Sequence, residues 1–190
     1  MEVEALINYI SNYTKISPQE IELLRTCFKY EVFKKNTLLE AENTISKKLY
    51  FIKTGIVRGF YLENGNEITT QIVERNNFIT GFESFATGRL SRVNIKCVTD
   101  CEVFYISKSD YETLGQKICG WEMFCKRVYE KTISSGIQRT NDLLTLSAEK
   151  KYLKLLSDQP EVVQRVPMQH IASYIGIKPE SLSRIRKKIS

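Results

Sequence analysis

The chain has 190 residues, a formal net charge of +6 and 42% apolar residues, enough for one sizeable core and a small second unit. No apolar run approaches the roughly 20 residues a membrane helix needs, and the acidic start MEVEALINYI does not fit a secretory signal, so a cytoplasmic chain with no membrane partner is expected. The five cysteines form no CxxC and His170 is the one histidine; a disulfide framework, a metal site and a resident cofactor are therefore not expected.

The first 30 residues are expected to be helical. Ile7, Tyr9 and Ile10 mark an apolar face. Ser17-Pro18-Gln19-Glu20 then opens a second helix, with serine at the cap, proline at the first helical position and glutamate completing a capping box. From Tyr30 to Ser107 the period changes to two. Glu31–Phe33, Lys48–Ile52, Ile56–Tyr61, Glu67–Val73, Asn94–Cys97 and Glu102–Ile106 are rich in β-branched and aromatic residues. Turn signals separate them at Lys34-Lys35-Asn36, Thr54-Gly55, Asn64-Gly65 and Asn76-Asn77, and Asn64-Gly65 is the strongest hairpin mark. Short strands at this spacing predict an antiparallel sandwich or barrel.

Ser109 is expected to start the next helix. A long proline-free helix should run from Gly120 to about Leu146, and its apolar surface, with Trp121, Phe124, Val128, Ile133, Ile137 and Leu144, is wider than one docking stripe needs. One face can pack on the sandwich while the other meets the same helix of a second chain; the alternative is a helix wholly internal to its own chain. Ala148–Ser157 reads as a further amphipathic helix, and Val162–Val166 as a short extended piece.

The last 23 residues read MQHIASYIGIKPESLSRIRKKIS. Ile171, Ala172 and Ile175 make a helical stripe, Gly176 supplies a turn, and Pro179 can open a second helix whose Leu182 and Ile185 pack back. Gln169, His170, Lys178, Glu180, Ser181, Ser183, Arg184, Lys187 and Lys188 remain for the other faces. Two short helices joined at a glycine, the second basic outside, match a DNA-reading helix-turn-helix; a solvated αα-hairpin is the plainer alternative. From Ala148 onward nine Lys and Arg face four acidic residues, so most of the positive excess lies where phosphate would be met.

In order, sandwich, long helix and helix-turn-helix resemble the CRP/FNR family of bacterial transcription regulators. The resemblance is carried by LYFIKTGIVRGFY (Leu49–Tyr61), NNFITGFESFATG (Asn76–Gly88), CEVFYISKSDYETL (Cys101–Leu114) and IASYIGIKPESLSRIRKKI (Ile171–Ile189). It implies an α+β protein with three parts: a cyclic-nucleotide-binding-like β-roll with N-terminal helices over 1–118, a dimerisation helix over 119–147, and a helix-turn-helix over 148–190 lacking a complete wing. It further implies that Glu180, Ser181 and Arg184 read bases while Lys178 and Ser183 lie near the DNA backbone. The family's phosphate cassette pairs a glutamate for the ribose with an arginine for the phosphate. Here Gly81 falls at the first position and Ser91 at the second, with Arg92 one place late. Gly81, Phe82, Glu83, Ser84, Arg89, Ser91 and Arg92 are thus the candidate effector pocket, either as a rearranged anion site or as ordinary loop residues. Gly136 and Ile137 stand where the cyclic-AMP sensor places hydroxyls, so cyclic AMP is not the expected effector.

The function expected from the resemblance is a homodimeric, sequence-specific regulator binding double-stranded DNA, controlled by an unknown small-molecule effector or constitutive, with RNA polymerase as a further candidate partner. No P-loop, GxSxG or HExxH is present, and an enzyme is not expected. The alternative is an interaction module of the same fold without DNA binding. A third reading keeps DNA binding but makes Cys97, Cys101 or Cys119 an oxidant sensor.

Overall fold

A computed structural model describes residues 3–189. Two helices, α1 (Glu4–Ser11) and α2 (Pro18–Cys27), lead into the strands. The capping box forms: the Glu20 amide donates to Ser17 Oγ (3.3 Å) and the Ser17 amide to Glu20 Oε2 (2.8 Å), satisfying donors the first helical turn leaves open. Leu6, Ile10 and Leu24 turn fully inward.

Among the described residues eight strands follow: β1 (Lys29–Phe33), β2 (Leu38–Glu40), β3 (Lys48–Thr54), β4 (Val57–Glu63), β5 (Asn66–Val73), β6 (Asn77–Ile79), β7 (Asn94–Cys97) and β8 (Cys101–Ser107). They make two antiparallel four-stranded sheets, ordered β1-β8-β3-β6 and β2-β7-β4-β5. The inner faces meet through Tyr50, Ile52, Val57, Ile79, Ile95, Cys97, Cys101 and Val103. Asn64 (φ 50°) and Gly65 (φ 78°) both take the left-handed region, as a two-residue type I′ hairpin between β4 and β5 demands. β2, β6 and the short helix α3 (Phe82–Thr87) were not expected from the sequence; three-residue strands are too short to show a period.

Ser107, not Ser109, caps α4 (Lys108–Lys117), its Oγ accepting the Asp110 amide at 3.1 Å. Gly120 (φ 85°) precedes α5 (Trp121–Thr145). The first two turns of α5 point into their own chain: Trp121 is 3% and Phe124 2% exposed, and Phe124 packs among Tyr9, Tyr13, Phe78 and Trp121 with ring centroids 5.3–6.3 Å apart. These two residues therefore belong to the core and not to an intermolecular seam, which corrects the expectation for both. Phe124→Ala should cost about 3–5 kcal/mol, read as a lower urea midpoint with an unchanged slope. A loss below about 1 kcal/mol would mean that the ring cluster does not close as described.

The chain ends in α6 (Ala148–Asp158), α7 (Pro160–Arg165), α8 (Met168–Tyr174) and α9 (Pro179–Ile189). Residues 162–166 are not the extended piece that the valines suggested. Pro160 occupies the first helical position, Glu161 lies in the first turn and Arg165 in the last, all favourable to a helix, and the turn buries Val162 and Val163. β propensity yields here to local capping and packing. These four helices share a core of Tyr152, Leu155, Val162, Val163, Val166, Ile171, Ala172, Ile175 and Leu182, continuous with Ile72 of β5 and with Ile56 and Val98 beside β4 and β7. Among the described residues no helix is long and apolar enough to cross a membrane.

Candidate nucleic-acid interface and effector cassette

α8 and α9 are joined by a Schellman turn. The Ile177 amide donates to the Ala172 carbonyl (2.9 Å) and the Gly176 amide to the Ser173 carbonyl (3.2 Å), with Gly176 at φ 67°, the conformation that favours glycine. A Cβ on Gly176 would also come within 3.1 Å of Leu143. Leu182 is wholly buried beneath α9. This leaves Glu180 and Arg184 exposed one turn apart, Ser181 and Ser183 partly exposed, and Lys178 exposed at the turn. Arg186, Lys187 and Lys188 fill the last turn. Lys188 is also paired with Glu149 on α6 at 3.3 Å, so part of its charge is already compensated.

The other side of the motif is docked on the sandwich. β5 is an edge strand, and Ser173 on α8 covers it: its Oγ accepts the Thr69 amide at 2.9 Å and donates to the Glu67 carbonyl at 3.2 Å. An edge whose backbone groups find partners within the chain is protected from adding another strand. Arg139 of α5 donates to the Tyr174 carbonyl (2.7 Å) and the Thr69 carbonyl (3.3 Å) and lies 4.5 Å over the Tyr174 ring. Arg58 is buried on β4, 2% exposed; it is ion-paired to Glu67, donates to Thr69 Oγ1 (3.1 Å), and approaches His170 Nδ1 at 2.8 Å.

His170 therefore belongs to this joint and not to the exposed polar face of the motif, a second correction. Gln169 is exposed but lines the same cleft of about 220 Å³, with Lys35, Lys96 and Pro167. A guanidinium has no acceptor, so His170 Nδ1 must accept and the ring is neutral, protonated at Nε2. Burial first, then the Arg58 charge, holds the imidazole below its ordinary value of 6.5; Glu67 pulls the other way less strongly, and Lys96 adds the smallest lowering. A depressed folded value means that stability is fully present above the unfolded value and is lost as pH falls through the folded one. Docking should accordingly weaken on acidification below about pH 6.5, and His170→Gln should flatten that dependence. An NMR titration placing the His170 ring at or above its ordinary value would contradict the arrangement.

The candidate effector residues divide into a buried set and an exposed, charged set. Glu83, Arg89 and Arg92 are exposed, Phe82 is partly buried, and Gly81, Ser84 and Ser91 are buried. Ser84 Oγ accepts the Ser46 amide (2.9 Å) and donates to the Arg89 carbonyl (2.5 Å), and Ser91 Oγ donates to the Val93 carbonyl (3.0 Å). A Cβ on Gly81 would fall 2.5 Å from Ser46 Oγ and 2.8 Å from Ser91 Oγ, so no larger side chain fits there without displacing them. The charged anion site that the loop composition allowed is not formed by these residues. Inside them lies Glu40 of β2, which the sequence did not single out: one glutamate after two leucines carries no periodic signal. Its Oε2 accepts from Ser46 Oγ (2.7 Å) and the Gly81 amide (3.0 Å), while Thr80 Oγ1 shares its hydrogen between the Lys48 carbonyl (2.8 Å) and Glu40 Oε1 (3.3 Å). Burial pushes the Glu40 carboxyl up, and these hydrogen bonds pull it back.

On α5, Val128 is half-buried against the core. Ile133, Ile137 and Leu144 are 61%, 58% and 80% exposed, and their spacing puts them along one side of the helix. Cys97 and Cys101 are buried in the sandwich, and Cys119 is exposed.

Residues 30–117 match the cyclic nucleotide-binding domain family. No curated protein matches the chain in sequence. Among solved structures, the c-di-GMP responsive global regulator CLP of Xanthomonas campestris is 20% identical with a TM-score of 0.68, over 91% of each chain. A chain from Eubacterium rectale assigned to the crp/fnr family of transcriptional regulators is 16% identical with a TM-score of 0.71, over 92% of this chain and 83% of that one. The catabolite activator protein of Thermus thermophilus is 16% identical with a TM-score of 0.57, over 95% and 86%. Residues 30–117 thus resemble a cyclic nucleotide-binding domain. The chain around them has the fold of the CRP/FNR transcription regulators.

Proposed function

We propose that this protein is a sequence-specific DNA-binding transcription regulator of the CRP/FNR type that acts as a homodimer. The observation that carries the reading is the exposed face of α9: Glu180 and Arg184 one turn apart, Lys178 at the turn and Lys187 beyond, over a buried Leu182. Arginine can span guanine O6 and N7 with two hydrogen bonds, glutamate can accept from a cytosine amine, and lysine can neutralise phosphate. The sensing unit is residues 1–118, the pairing helix 119–147, and the reading unit 148–190. The exposed isoleucines and leucine of α5 are the seam of the dimer, joined by the edge of the surface that Val128 shares with the core.

Selection of bound duplexes from a random oligonucleotide pool tests this. The enriched sequence should be a palindrome whose half-sites lie about one helical turn, ~34 Å, apart. No salt-dependent binding to any duplex would overturn the reading and leave an interaction module of the same fold.

A further inference from the structure

The interior of the cassette holds a buried carboxyl with no ion-paired cation. Ser46, Thr80, Ser84 and Ser91 are each under 5% exposed and Glu40 is 9% exposed. Oxygen Oε2 of Glu40 collects the Ser46 hydroxyl and the Gly81 amide; no Lys or Arg forms an ion pair with Glu40 among the described residues. A buried carboxyl hydrogen-bonded only by neutral donors is unusual, because no ion-paired counter-charge offsets its desolvation; the Lys48 charge, beyond ion-pair distance, is the smallest of the influences that lower it. Those donors would in turn be orphaned without it, since both are buried and neither donates to another acceptor among the described residues. The Gly81 Cβ direction is blocked by two serine hydroxyls, and the glycine amide can approach the carboxyl only because no side chain intervenes.

We propose that the Glu40 carboxyl is the resident ligand of this cassette: it fills from within the chain the place where a small anionic group would otherwise be bound, and so closes the domain to nucleotide phosphates. The proposal rests on residues 30–117 being a cyclic nucleotide-binding domain and not on DNA recognition. It makes Glu40 a specificity-determining residue, and it means that no 3′,5′-cyclic nucleotide controls the protein through this site.

Glu40→Ala removes the atoms of one acetate ion from the site, which defines the probe. The full chain is melted in sodium acetate and in sodium chloride at equal ionic strength, as the native protein, Glu40→Ala and Glu40→Gln. In chloride, Glu40→Ala should melt about 5–10 °C lower than native, because two buried donors lose their acceptor, and acetate should restore at least half of that loss. Native and Glu40→Gln, whose amide oxygen still accepts from both donors, should show no difference between the salts. Calorimetry of the native protein with cyclic AMP should give no binding heat.

Should Glu40→Ala fold only in acetate, the proposal is supported. Equal melting of Glu40→Ala in both salts, or failure to fold in either, overturns it. Micromolar binding of cyclic AMP by the native protein overturns it as well. No arm contains DNA, so a protein that fails to bind duplexes leaves this test unaffected.

Discussion

Ile137→Asp should convert the protein to a monomer and lower its affinity for a duplex carrying both half-sites by about 10²–10⁴-fold. Ile137 is 58% exposed and Ile133, one turn earlier, 61%, so the substitution empties no cavity in the chain's own core. Two isoleucines and a leucine along one side of a helix are an apolar stripe that water does not favour, and a two-fold partner presenting the same stripe would cover it. An aspartate placed in such a seam is desolvated without a counter-charge, which costs several kcal/mol. The affinity loss follows because the second half-site is then bound as a separate event and not as an intramolecular one. Sedimentation at several protein concentrations reads the first effect, and titration of one-half-site and two-half-site duplexes reads the second. Ile137→Asp should bind a single half-site as the native protein does. A native protein that sediments as a monomer at tens of micromolar removes the prediction. Val128→Asp is the poorer probe, since Val128 packs on the core and its replacement would unsettle the fold as well.

Arg184→Ala and Lys178→Ala should fail in different ways. Both residues are exposed, so neither change should unfold α9. Arg184 lies on the outward face one turn beyond Glu180, where a guanidinium can make a bidentate contact with guanine. Its loss should cost about 1–3 kcal/mol on the operator and flatten the preference at one base position, with a smaller effect on scrambled duplex. Lys178 precedes the helix, and its ammonium is a point charge suited to phosphate. Lys178→Ala should weaken operator and scrambled duplex alike and reduce the slope of log affinity against log salt by about one unit. The measurement is a salt series on both duplexes for each variant. Equal losses on the two duplexes for Arg184→Ala would show that α9 does not read bases in this orientation. Lys188 should contribute less than its position suggests, because Glu149 already faces it.

The elements most legible in the sequence are those decided by a few neighbouring residues. Ser17 and Glu20 close a capping box across three positions, Asn64-Gly65 turns one strand into the next, and Gly176 ends α8. Each is set by backbone sterics and by donors within one turn of chain. Val162 and Val163 show the limit of that reasoning. Their branching suggested a strand, but Pro160 and Glu161 begin a helix, and packing on α6 completes it.

The candidate site divides along the same physical line. The outward set on α9 was legible because helical period alone assigns Leu182 inward and Glu180 and Arg184 outward. Trp121 and Phe124 shared an apolar surface with Ile133 and Ile137, and period could not tell which part of it faced α1 and the sheets and which faced solvent. That is settled only when Tyr9 and Phe78, distant in sequence, arrive beside Phe124. Likewise His170 looks like another polar residue of a reading motif until Arg58, 112 residues earlier, meets its ring. Glu40 is the extreme case. A carboxylate is assigned to solvent by composition, yet Ser46, Thr80 and Gly81 enclose this one, because β2 and the end of β6 come together only when the sandwich closes. Local capping, turn chemistry and amphipathic period are written along the chain, so the sequence by itself determined the antiparallel sandwich, the long helix and the terminal helix-turn-helix. The partner of each buried polar group depends on long-range closure, so only the tertiary structure decided that the cassette holds its own carboxyl, that α8 docks on β5, and which face of α5 remains open.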